Sequence, residues 1–368
     1  MEKFLKKIVT SHTSKEKIID DIRNNKKPVL IYGAGVYAYV LSSYLIALGI
    51  KIKEFLVDRS LINDRFFIKI KPKSLEDYIP TIDEYNLIIG ISSYPAIIYK
   101  LKKKGLKKVF VIDVPDFLNF PKPFLNFNFV KKKSLKLNEV YNLFEDDISK
   151  ETFIAFINTK LTNDLGFLKP IVKRDHLYFP NSEFKISKKE TLLDVGGFNG
   201  DTIRDFLKIS NSNFDMIISL EPLYENFLKL KQTITEFAFN KKIMPLMVGA
   251  WHKADKLSFK KTNLNIDSRV HYSGKKFIEV NTIDDIAYQL GLNISLVKID
   301  INGYEFNALK GSSETIKRFK PNIVTKIQVK EDLYRIPLLL KKFNPEIKLY
   351  LRQRNYMSMM LVLYARFN

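Results

Sequence analysis

The apolar positions of this chain fall into short continuous runs separated by stretches of helical spacing, the pattern of strands buried on both faces of a parallel sheet. Pro28–Tyr32 is such a run, stopped by Gly33-Ala34-Gly35, and after it Val36, Val40, Leu41, Tyr44, Leu45 and Leu48 recur on one helical face until Gly49. That order predicts strand, glycine turn and helix. Phe55–Val57 ending at Asp58, then Leu87–Ile91 and Val109–Ile112, supply further buried strands. Residues 27–114 therefore read as a small Rossmann-like α/β domain behind a helical lead-in at 1–26. Pro115–Lys133 is rich in Phe, Pro and Asn without clean periodicity and Asn138–Leu168 has a helical pattern, so 115–190 is expected to be a linker and helical connecting region.

A second α/β domain is expected over 191–368. Leu192-Leu193-Asp194-Val195 is an apolar strand ending near an acid, Gly196-Gly197-Phe198-Asn199-Gly200 is the turn after it, and Asp201-Thr202 opens a helix carrying Ile203, Phe206 and Leu207. Glycines suit that turn because a ligand can approach the backbone closely only where no Cβ intervenes, and the amides of the helix N-terminus are free to bond it. The next strand, Met216–Leu220, ends in Glu221-Pro222, 21 residues beyond Gly200. A carboxylate there can accept from both hydroxyls of a ribose. Strands follow at Ile243–Val248, Ser295–Ile299 and Asn322–Ile327, with an antiparallel pair around Lys348–Leu351 and Met359–Tyr364. A parallel sheet finished by such a hairpin is the class I methyltransferase layout.

Four stretches in this order, LLDVGGFNGDT, SLEPLYENFLKL, VKIDINGYEFNALKG and the tail KFNPEIKLYLR, resemble the FkbM-family S-adenosylmethionine-dependent methyltransferases. The resemblance runs from about Asp147 to the C-terminus and includes the run-in LTNDLGFLKP and YFP. It implies a class I (Rossmann-like) methyltransferase domain, S-adenosyl-L-methionine as cofactor, and transfer to a sugar hydroxyl, nucleotide-linked or part of a surface polysaccharide. It implies that Asp194, Gly196 and Gly200 form the loop around the methionine part of the cofactor, with Gly197, Phe198 and Asn199 in the same turn and Asp201 close by. Glu221, with Pro222 beside it, would hold the ribose, and Ala250-Trp251 lies where the adenine would rest. Asp300 would end the fourth strand next to the transferring methyl and take the proton, with Glu305 and His271 in reserve. The chain departs from the family pattern at three places. The usual Asp-x-Glu-Gly is Asp300-Ile301-Asn302-Gly303, the usual Tyr-His-Lys is Gln328-Val329-Lys330, and the usual Arg-His is Arg352-Gln353. These departures leave open a non-catalytic cofactor-binding or scaffolding partner in glycan biosynthesis.

Composition narrows the picture further. At 368 residues the chain is well over the roughly 150 residues of one average domain. The absence of Cys removes disulfides, thiolate zinc sites and cysteine nucleophiles and fits a reducing, cytoplasmic setting. No signal peptide or spanning segment is expected from the pattern, which leaves peripheral membrane contact open. Lys+Arg 61 against Asp+Glu 40 gives +21, but the lysines are spread along the chain and not clustered with aromatics, so no nucleic-acid partner is expected. His12, His176, His252 and His271 show no ligand spacing, so no metal is expected. In the first domain Gly33 and Gly35 fit G-x-G-x-x-A and Asp58 follows 23 residues after Gly35. That is a weak nucleotide-binding signal, and it keeps an NAD(P)-dependent oxidoreductase or epimerase as an alternative.

Overall fold

The computed structural model describes residues 2–9, 14–62, 71–91, 94–106, 109–112, 125–180, 182–183, 185–238, 240–260, 269–270, 276–356 and 360–367. The chain divides into two compact units. The first comprises Met1–Leu135, Glu151–Arg174 and Gln353–Met360; the second comprises Lys136–Lys150, Asp175–Arg352 and Leu361–Asn368.

The first unit is built on a parallel sheet of β1 (Val29–Tyr32), β2 (Ile52–Val57), β3 (Lys73–Ser74), β4 (Asn86–Ile89) and β5 (Phe110–Val111), in the order β3-β2-β1-β4-β5. Alternation along the strands feeds two cores. Val29, Ile31 and Ile88 join Ile19, Ile22, Leu41 and Leu45 of the helices Ser14–Asn25 and Val36–Ala47. Leu30, Tyr32, Leu87 and Ile89 join Leu75, Leu101, Leu165, Leu168 and Ile171. The last three come from the stretch expected to be connecting region. Their burial makes it part of the first unit's core, which a linear cut of the chain does not show.

The second unit holds β6 (Thr191–Val195), β7 (Met216–Leu220), β8 (Ile243–Leu246), β9 (Gly249–Ala250), β10 (Asp255–Lys260), β11 (Arg269–Val270), β12 (Lys276–Asn281), β13 (Leu296–Ile299), β14 (Asn322–Lys326), β15 (Lys348–Gln353) and β16 (Leu361–Arg366). Seven form one sheet in the order β15-β16-β14-β13-β6-β7-β8. It is parallel from β14 through β8, and β16 returns antiparallel to β14. This is the expected class I order. A four-stranded sheet, β11-β10-β12-β9, is inserted between β8 and β13. The sequence reading missed it because its exposed strands carry no continuous apolar run.

Leu192, Ile217, Leu296, Val324 and Val362 of the large sheet pack with Ile203, Phe206 and Leu207, the apolar side of helix Asp201–Ile209. The helical stretch expected over Asn138–Leu168 holds two helices, Ser134–Leu143 and Asp147–Thr162. The break is held by Glu145 N donating to Leu349 O at 3.1 Å, and the second helix starts where Asp146 Oδ1 accepts from Ser149 N at 2.8 Å, a side-chain cap. Among the described residues no helix is long and apolar enough to cross a membrane.

Candidate active site

A parallel sheet directs the loops after its strands to one edge, and the sharpest of these follows β6. Gly196 has φ +89, and a Cβ there would sit 2.2 Å from Asp300 O. Both facts require glycine. Gly196 N and Gly197 N each donate to Leu220 O, at 3.0 and 2.9 Å, tying the turn to β7. Gly200, at φ +82, caps helix Asp201–Ile209. Phe198 and Asn302 take left-handed backbone conformations, φ +46 and +54, although neither is glycine. Such strain collects at functional sites, and both residues line the same cavity.

Beneath the turn runs a polar row that sequence reasoning did not anticipate. Lys298 on β13, Asp194 on β6 and Ser219 on β7 are register neighbours across three strands. Lys298 Nζ lies 2.9 Å from Asp194 Oδ1 and donates to Gly196 O at 2.8 Å, while Ser219 Oγ donates to Asp194 Oδ2 at 2.9 Å. Burial opposes the lysine's charge, yet Asp194 and Asp300 raise its pKa above the usual value. Removing one member would strand the other in the core at ~3–5 kcal/mol. The only signal in the sequence was a lysine inside an otherwise apolar strand, where a buried charge demands a partner.

The cavity at this edge opens to solvent and spans about 840 Å³ when its open mouth is counted. It brings together Gly196, Phe198, Glu221, Pro222, Ala250, Trp251 and Asp300 from the expected set, with Asn302 and Tyr304. Leu257, Ile278 and Val280 of the inserted sheet complete an apolar wall. Asp194, Gly197, Asn199, Gly200, Asp201 and Glu305 do not line it. Asp194 is wholly buried in the row described above, so its part is to hold the turn from below. Trp251 has the His252 ring at 5.3 Å on one side and Tyr304 at 5.7 Å, so its plane is set by packing.

Glu221 is 5% exposed. Its Oε2 accepts from Phe198 N at 3.0 Å and its Oε1 from Leu223 N at 2.9 Å. Burial raises its pKa to about 7 against the opposing pull of those amides.

Asp300 is held from three sides. Tyr178 donates its hydroxyl to Oδ2, Lys326 Nζ lies 2.6 Å from the same oxygen, and Gln328 Nε2 donates to Oδ1 at 2.7 Å. Burial alone would raise its pKa, but Lys326, Lys298 and the hydrogen bonds bring it to about 2. Tyr178 is moved the other way, well above the usual phenol value, by burial and by the Asp300 charge. A carboxylate held by three donors near 2 is ionised at neutral pH but a weak base, which counts against the expectation that Asp300 takes the proton. Glu305, expected in reserve, stands behind the cavity lining. It is fully buried, and its Oε1 accepts from Ile301 N at 2.9 Å, Gly303 N at 3.1 Å and Gln328 Nε2 at 3.2 Å. It staples the turn after Asp300 from behind. His271 lies outside the described residues.

At the other departures from the family pattern, Arg352 is buried between Asp146 and Glu183, both at 2.6 Å, and Gln353 is fully buried. In the first unit, Gly33 has φ +129 and a Cβ there would meet Gly90 O at 2.8 Å, so its role is close packing; around Gly35 there is open space. Asp58 pairs with Lys100, and a carboxylate so neutralised is poorly presented to a ribose diol.

The chain matches the methyltransferase FkbM domain model over residues 194–357. No curated protein matches it. Among solved structures, methyltransferase FkbM from Methylobacillus flagellatus KT aligns over 95% of this chain and 92% of its own, with TM-score 0.69 and 16% identity, a likeness of fold. A putative rRNA methylase from Clostridium thermocellum (TM-score 0.32, 11% identity, 49% of this chain, 89% of that chain) and the Aeropyrum pernix fibrillarin structure (0.31, 12%, 49% and 68%) align more distantly. With the class I strand order and the turn, acid and strand-end carboxylate gathered at one edge, the chain is a methyltransferase, and its residues 194–357 match the methyltransferase FkbM domain.

Proposed function

We propose that this chain transfers a methyl group from S-adenosylmethionine to a sugar hydroxyl, nucleotide-linked or part of a polysaccharide. The observation that carries the reading is the convergence of Gly196, Glu221, Trp251 and Asp300 on one cavity. The residues suit the cofactor. Glu221 Oε1 accepts from Leu223 N and, at 3.5 Å, from Asn226 Nδ2, while Oε2 accepts from Phe198 N alone and keeps a lone pair for a ribose hydroxyl. Trp251, Leu257 and Ile278 offer flat apolar surface for the adenine. When bound, the cofactor supplies an electrophilic methyl on a cationic sulfur.

The protein's own contribution is alignment and charge. Asp300, immobilised by Tyr178, Lys326 and Gln328, accepts a hydrogen bond from the incoming hydroxyl and orients it while keeping its own charge. The proton passes to water at the open mouth as the new bond forms. The sugar acceptor follows from the resemblance to the FkbM family. Incubating the full chain with methyl-tritiated S-adenosylmethionine and a panel of methyl glycosides and nucleotide sugars, with catechol as a phenolic control, tests it. Tritium in a sugar methyl ether supports the proposal; label in catechol alone, or in no sugar, refutes the acceptor.

A further inference from the structure

The charged side chains among the described residues lining the cavity are Glu221 and Asp300, both acids, in a chain whose formal charge is +21. An average sample of this protein would be basic, so the sign belongs to the site. The counter-cation of Asp300, Lys326, 2.6 Å away, is not among the lining residues, and neither are Tyr178 and Gln328, which hold the same carboxylate. Of the pair, Asp300 lines the cavity and Lys326 does not, although the two side chains are about equally buried. S-adenosylmethionine and its demethylated product S-adenosylhomocysteine differ at one place, a cationic sulfonium against a neutral thioether, so their other contacts cancel in a comparison.

We infer that the Asp300–Lys326 pair, fixed by Tyr178 and Gln328, sets the charge preference of this cavity and favours the sulfonium cofactor over its thioether product. The inference rests on reading the cavity as the cofactor site. A charge facing a ligand charge across a partly buried cavity is weakly screened, so it separates two ligands of the same shape. Its consequence is that spent cofactor leaves more readily than fresh cofactor.

Calorimetry on the full chain with S-adenosylmethionine and S-adenosylhomocysteine as probes tests this. Asp300→Asn is expected to weaken S-adenosylmethionine by about tenfold and S-adenosylhomocysteine by no more than about threefold. Lys326→Met, which leaves Asp300 without its counter-cation, is expected to shift the ratio the other way by about threefold, in favour of S-adenosylmethionine. Retained S-adenosylhomocysteine binding shows that each variant is folded. Should Lys326→Met not fold, Lys326→Gln gives a neutral side chain that can still donate to Asp300. Parallel changes for both ligands, as a purely structural pair would give, or a Lys326 variant that favours the thioether, overturn the inference while the cofactor site stands. If the wild type binds neither ligand, the reading of the cavity fails and this inference with it.

Discussion

Glu305 is buried with one oxygen bonded to the backbone of the turn after Asp300 and the other, Oε2, without a partner. Burial first, and the Asp300 charge second, raise its pKa from 4.5 to about 8. A group whose native pKa lies above its unfolded value lends its full stability below the unfolded pKa and loses it as pH rises through the native one. Glu305 is thus neutral in the native protein at pH 7, and ionising it costs folding free energy. From 4.5 to about 8, at 1.36 kcal/mol per pH unit, the cost reaches ~5 kcal/mol above pH 8 and is about 2 kcal/mol at pH 6. Glu305→Gln keeps the accepting oxygen and places an amide where the carboxylic acid O–H stands, so it carries no such cost. The variant should therefore gain on the wild type by ~1.4 kcal/mol per pH unit between pH 5 and 8 and level off above that. Taking the difference isolates Glu305 from the other carboxyls. Urea unfolding from pH 5 to 9, followed by the fluorescence of Trp251, measures it, since that single Trp lies in the same unit as Glu305. A difference that is constant with pH, or that falls as pH rises, refutes the reasoning.

Glu221 leads to a second pH effect. Ribose hydroxyls donate to the ionised carboxylate, so S-adenosylmethionine should bind about tenfold more tightly at pH 8 than at pH 6, with the midpoint near 7, and Glu221→Gln should abolish that dependence; calorimetry at the two pH values decides. Gly196→Ala combines φ +89 with a Cβ 2.2 Å from Asp300 O and should cost upwards of ~3 kcal/mol, whereas Gly35→Ala, at φ −95 with open space around it, should stay within ~1 kcal/mol. Comparing their melting temperatures checks this, and equal effects would mean that the turn after β6 is not as tightly built as it is described.

Elements whose physics is local were legible from the residues alone. Short apolar runs such as Leu192–Val195 and Met216–Leu220, each stopped by a turn signal, read as buried strands, and Gly196 and Gly200 stand where the backbone turns through positive φ. The spacing from Gly200 to Glu221 then set turn and acid at one sheet edge, and the structure has both at the cavity's edge. Tertiary structure alone decided what depends on partners far apart in the chain. Lys298 meets Asp194 only through the pairing of β13 with β6, and Leu165 and Leu168 join the first unit's core only because the chain returns to it. The chemistry of the carboxylates belongs here too. Asp300, Glu305 and Glu221 are alike in sequence terms, yet their pKa values come to about 2, about 8 and about 7. Local sequence can name an acid, but its pKa follows from desolvation and from charges within a few ångströms: Asp300 has the cation of Lys326 beside it, whereas Glu305 and Glu221 are buried with amide donors and no ion pair of their own, Glu305 facing the Asp300 charge as well.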